Sequence, residues 1–135
     1  MIAFLEQILG YYKSDATKEF LSYGQFMRPL QFRQPAELPL MTYSRGGDYP
    51  ALWNGVFRNP EGDLAIFLAN ASRQDIPFVS KVELARHGMS ADAVVDVEQI
   101  DYTGEITPVE KDVSGVVALE GTIPGRAIIA YRLSE

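Results

Sequence analysis

The feature that most limits what this chain can fold into is a change of hydrophobic period near Pro35. Before it, Ile2, Leu5, Ile8, Leu9 and Tyr12 recur at helical spacing and form one apolar stripe. Gly10 weakens that helix without having to end it. A second short helix is expected next, with Ser14 or Asp15 as N-cap, Ala16, Phe20 and Tyr23 on its apolar face, and Gly24 in a left-handed C-terminal position. Pro29 and Pro35 discourage further helix.

After Pro35 the period drops to two. Phe78, Val82 and Leu84 alternate with Val79, Lys81 and Glu83, and Val95 and Val97 with Asp96 and Glu98. Ala127, Ile129, Tyr131 and Leu133 alternate in the same way with Arg126, Ile128, Ala130 and Arg132. Leu64 to Ala69 is apolar at every position, which suggests a central strand covered on both faces. Eight strands are expected, near Leu38–Tyr43, Leu52–Arg58, Leu64–Ala69, Phe78–Leu84, Val94–Tyr102, Glu105–Val109, Gly115–Glu120 and Arg126–Leu133. Frequent turns and no interleaved helices point to a mainly β fold: an antiparallel β-sandwich preceded by one or two short N-terminal helices. The connections Asn59–Asp63 and Thr103–Gly104 imply local hairpins. The expected division is 1–35, a helical head and linker, and 36–135, the sandwich. The head either folds back on the sandwich or belongs to a domain that precedes it, and the abruptness of the change favours the second.

Composition excludes several kinds of chemistry. Cysteine is absent, which removes disulfides, thiolate metal sites and cysteine nucleophiles. His87 is the only histidine, so a histidine-rich metal site is out and no cofactor is expected. The net charge is −6, and the excess of acid lies after Pro35, chiefly in Asp92, Asp96, Glu98, Asp101, Glu105, Glu110 and Asp112. A surface of that sign repels phosphate backbones, which argues against nucleic acid as a partner. No run approaches the ~18 apolar residues of a membrane span. The opening segment has Glu6 and no basic residue ahead of its apolar positions, so it does not read as a secretory signal. If that start is native, the chain is expected in the cytoplasm.

Three segments carry a resemblance. Phe20-Leu21-Ser22-Tyr23-Gly24-Gln25-Phe26-Met27-Arg28-Pro29-Leu30 resembles the last barrel helix and exit linker of certain glycoside hydrolases, in which a (β/α)₈ catalytic barrel is followed by an antiparallel β-sandwich. The run from Trp53 to Ser72, a strand, a Gly-containing turn and an apolar strand closing in Asn70-Ala71-Ser72, is similar to the first long hairpin of such a sandwich. Pro124 to Tyr131 is similar to its final strand. In those enzymes the catalytic carboxylates project from the barrel strands. No barrel lies within these residues, so the resemblance implies a non-catalytic accessory domain that braces a barrel, and no catalytic residue here.

Three other features are candidate sites. Tyr49 and Trp53, with Tyr43, flank the Arg45-Gly46-Gly47-Asp48 loop and could stack on sugar rings, although Trp53 also has strand spacing with Phe57 and suits packing in the core or between domains. The acidic run could gather a hard cation, but its spacing fits no regular ligand loop and reads better as a solvated strand face, so no metal site is expected. His87 sits beside Gly88 in a turn and is expected to be exposed, with no partner to orient it for catalysis. Two further readings therefore stand beside the accessory domain. One is a carbohydrate-binding module using Tyr49 and Trp53; the other is a self-contained protein that pairs with a second copy through its helical head.

Overall fold

The computed structural model describes the backbone at positions 2–27, 30, 32–34, 40–43 and 47–135, and the side chains at 5–27, 30 and 51–135. Helices α1 (Ile2–Lys13) and α2 (Lys18–Tyr23) precede the strands β1 (Gln25–Met27), β2 (Phe32–Gln34), β3 (Leu40–Tyr43), β4 (Gly47–Pro50), β5 (Leu52–Arg58), β6 (Leu64–Asn70), β7 (Ile76–Glu83), β8 (Val94–Ile100), β9 (Ile106–Ser114), β10 (Val116–Ile123) and β11 (Ile128–Ser134). Each strand expected from the period-two pattern has a counterpart, though positions 38–39 lie outside the described residues. The short strands β1, β2 and β4 are additional.

The strands form a six-stranded sheet in the order β1-β5-β6-β11-β8-β9, a three-stranded sheet β10-β7-β2, and the pair β3-β4. Neighbouring strands run antiparallel throughout. Both expected hairpins are present, joining β5 to β6 and β8 to β9. A one-residue connection need not be a hairpin. Gly115 alone separates β9 from β10, which belong to different sheets, and its φ of 76° is the left-handed turn that lets the chain change layer in one residue.

Alternation explains how the layers stack. Leu64, Ile66 and Leu68 of β6 point between the two sheets, where they meet Phe78 and Val82 of β7 and Val117 and Leu119 of β10. Phe67, on the opposite face of β6, packs instead with Tyr11, Ile100 and Ala130 beneath the helices. The apolar run at 64–69 is therefore a strand covered on both sides, as its composition requires. Burying each large side chain contributes ~1.5–3 kcal/mol, and the inter-sheet cluster holds most of them.

One motif of the resemblance proves to be a structural clamp. Asn70 is fully buried, and its amide donates to the carbonyls of Gln74 (2.6 Å), Ile123 (3.0 Å) and Pro124 (3.2 Å). Its Oδ1 accepts from the amide and hydroxyl of Ser72. The Asn-x-Ser sequence thus fastens the end of β6 to the end of β10.

The helical head departs from expectation in three ways. First, α2 begins at Lys18, after Thr17, and not at a cap on Ser14 or Asp15. The Thr17 hydroxyl donates 2.6 Å to the carbonyl of Tyr11, so this side chain closes the end of α1 instead of opening α2. Second, Gly24 is extended (φ −77°, ψ 156°), because the chain runs straight from α2 into β1; glycine is required there since a Cβ would collide with the Phe20 carbonyl. Third, the apolar stripe of α1 does not face the sheet. The helix docks by Gln7, Gly10 and Tyr11, while Leu5, Ile8, Leu9 and Tyr12 are exposed. Ile2, the first residue of the stripe, has its side chain outside the described set.

Candidate functional site

The docking of α1 is polar at its centre, which is why hydrophobic spacing misreads its orientation. The Gln7 amide donates to the Arg126 carbonyl (2.9 Å) and accepts from the Ile128 amide (2.7 Å), pairing with the start of β11 as a neighbouring strand would. The Tyr11 hydroxyl is shared between the carbonyls of Ile128 (2.9 Å) and Ile100 (3.0 Å). Burial, helped by the negative charge of Asp101, pushes its phenol well above the usual range. Gly10 permits this approach, since a Cβ there would run into the carbonyl of Tyr102.

Because α1 is held by its polar side, its apolar side is left outward and continues into the sheet. Ile8 and Tyr12 of the stripe meet the exposed Phe26 (64%) and Trp53 (51%) on this surface. A groove of about 350 Å³ opens here, lined by Ile8, Tyr12, Leu21, Phe26, Trp53 and Phe67 among others. Its aromatic lining is a chain of edge-to-face contacts: Phe26 to Phe57 (centroids 4.9 Å), Phe57 to Phe67 (5.7 Å) and Phe67 to Tyr11 (5.4 Å). Such contacts fix the rings in place. Polar groups are scarce in the lining. The Asn54 amide is already engaged with the backbone of Leu30, accepting at 2.7 Å and donating at 3.2 Å.

The sequence-selected residues fall in different places. Trp53 lies on this face, half exposed and on the same side of β5 as Phe57, which also lines the groove. Tyr49 pairs with Met41 in the β3-β4 ladder, and its side chain lies outside the described residues, as does the backbone of Arg45 and Gly46 in the loop before it. The acidic residues serve separate local roles. Glu98 pairs with Arg132 at 2.8 Å, and Asp96 accepts from the Asp112 amide. Asp101 ties the β8–β9 turn by accepting from Thr103 and Glu105. Burial opposes its ionisation, but these hydrogen bonds together with one from Gly104 outweigh it and hold the carboxyl below its usual pKa. Among the described residues no group of three or more His, Asp or Glu side chains gathers where a metal ion could be held.

His87 corrects an expectation. It is 5% exposed, not a solvent-facing turn residue, because Leu84–His87 form a single 3-10 turn that carries it inward. Its Nδ1 lies 3.1 Å from the Glu83 carbonyl. Gly88, with φ of 87°, ends that turn.

No family model matches this sequence, and no curated protein matches it either. Among solved structures, the chain is similar to part of the catalytic domain of GH30 xylanase C from Talaromyces cellulolyticus, with a TM-score of 0.37 and 13% identity over 67% of this chain. That overlap spans 19% of the xylanase chain.

Proposed function

We propose that this chain is a non-catalytic accessory β-sandwich of a glycoside-hydrolase-like protein, and that it braces a catalytic barrel through the apolar face formed by α1, α2, β1 and β5. The observation that carries this reading is the outward stripe of α1, continuous with Phe26 and Trp53 around one groove. Contiguous apolar patches above a few hundred Å² are uncommon on soluble monomers and usually mark an interface. The sequence resemblance supplies the identity of the partner. The scarcity of free polar groups in the groove suits protein packing better than sugar, whose hydroxyls need directed hydrogen-bond partners.

The half-exposed Trp53 indole favours a second reading, a carbohydrate-binding surface. Oligosaccharide binding there would shift or quench the fluorescence of the only tryptophan, whereas a bracing face leaves it unchanged. For the accessory role, the purified chain incubated with a panel of aryl glycosides is expected to release no aglycone. Reproducible turnover that disappears on replacing one carboxylate would overturn the non-catalytic reading.

A further inference from the structure

Arg58 ends β5 opposite Gln25 of β1. Its guanidinium lies against two turns: a Cβ at Gly62 would stand 3.4 Å from Nη2, and one at Gly88 would stand 3.2 Å from Nη1. Both glycines have positive φ, so the β5–β6 hairpin and the turn after His87 present bare backbone to the arginine. The three ion pairs formed among the described residues, Lys18–Asp15, Arg86–Glu83 and Arg132–Glu98, do not include it. Its Nε is buried and has no hydrogen-bond partner within the protein. A guanidinium is always charged and carries five N–H donors, and leaving a buried charged donor without an acceptor is costly.

The same residue lines a cleft of about 300 Å³ with Tyr23, Gln25, Asn59 and Pro60, and no acidic residue is among them. The acidic side chains of the hairpin, Glu61 and Asp63, line a neighbouring cleft with Asp15, Glu19 and Arg132. In a chain of net charge −6, the Arg58 cleft is therefore a cationic spot without a carboxylate in its own lining. We propose that it is a carboxylate-binding site. The planar fork of arginine matches the two oxygens of a carboxylate, and Tyr23 and Gln25 bring a phenol and an amide to the same cleft. The carboxylate is supplied either by an acidic side chain of a bound protein or by a small acid such as a uronic sugar. This site shares no lining residue with the apolar groove.

The test is an NMR titration of the full chain with acetate, D-glucuronate and N-acetylglutamate amide, each against equal sodium chloride. Saturable shifts are expected at the Gly62 and Gly88 amides and at the Arg58 Nε–H. Arg58→Lys, which keeps the charge but loses the fork, should weaken binding roughly tenfold. Tighter binding of glucuronate than of acetate identifies a sugar acid, and tighter binding of N-acetylglutamate amide identifies a protein side chain. Equal binding of all three supports the shared chemistry. Shifts no larger than those with sodium chloride would overturn the proposal. So would an Arg58 Nε–H resonance that moves on Glu61→Gln or Asp63→Asn, because the fork would then be paired within the chain.

Discussion

Tyr11 shows how one residue can set the position of a helix. Its ring packs edge-to-face on Phe67, and its hydroxyl serves two strand carbonyls that β8 and β11 leave available on the helix side. Tyr11→Phe keeps the ring and strands those carbonyls, so it should cost about 1–3 kcal/mol in urea unfolding. The phenol also links stability to pH. Its folded pKa is raised by burial above the unfolded value of about 10. Its contribution is therefore complete below about pH 10 and is lost as the pH climbs from there, since the unfolded chain releases the proton first. Tyr131, raised by burial as well, acts in the same direction. Melting temperatures between pH 9 and 11 should fall more steeply for the natural chain than for Tyr11→Phe. None of this was legible in the hydrophobic spacing, which assigned Tyr12 to the stripe and gave its neighbour Tyr11 no role.

Among the elements, strands were more legible than helices because alternation has one physical meaning and a helical stripe has two. An alternating run such as 127–133 places Tyr131 and Leu133 in the core and Ala130 under the helices, whichever strands lie beside it. A stripe on a helix marks a face that is buried somewhere, and on α1 that face points away from its own sheet. The contact that α1 does make depends on Gly10. In a free helix, Gly→Ala would gain about 1 kcal/mol. Here the added methyl meets the backbone of Tyr102, so Gly10→Ala should instead destabilise the protein by about 1–3 kcal/mol and loosen α1. Denaturant unfolding of the variant decides the sign. At the exit from α2, likewise, Gly24 is required for close approach and not for a left-handed turn.

For the whole molecule, the two-sheet core and the helix layer hold most of the buried apolar side chains among the described residues. The six-stranded sheet has one face on the inter-sheet core and the other partly covered by α1 and α2, with Phe26 and Trp53 at the uncovered end. Trp53 was legible as a candidate because a single tryptophan beside turn residues invites the question. The groove around it was not, because it joins residues far apart in sequence, Ile8 and Ile128 among them. If this face is built to meet another protein body, α1, whose described side chains reach the sheet chiefly through Gln7 and Tyr11, should open easily on its own. Amide hydrogen exchange on a dilute, demonstrably monomeric sample tests this most directly. Helix α1 is expected to exchange faster than Leu64–Ala69 and to gain protection when a partner covers the face; equal protection of the two segments in the monomer would rule this out.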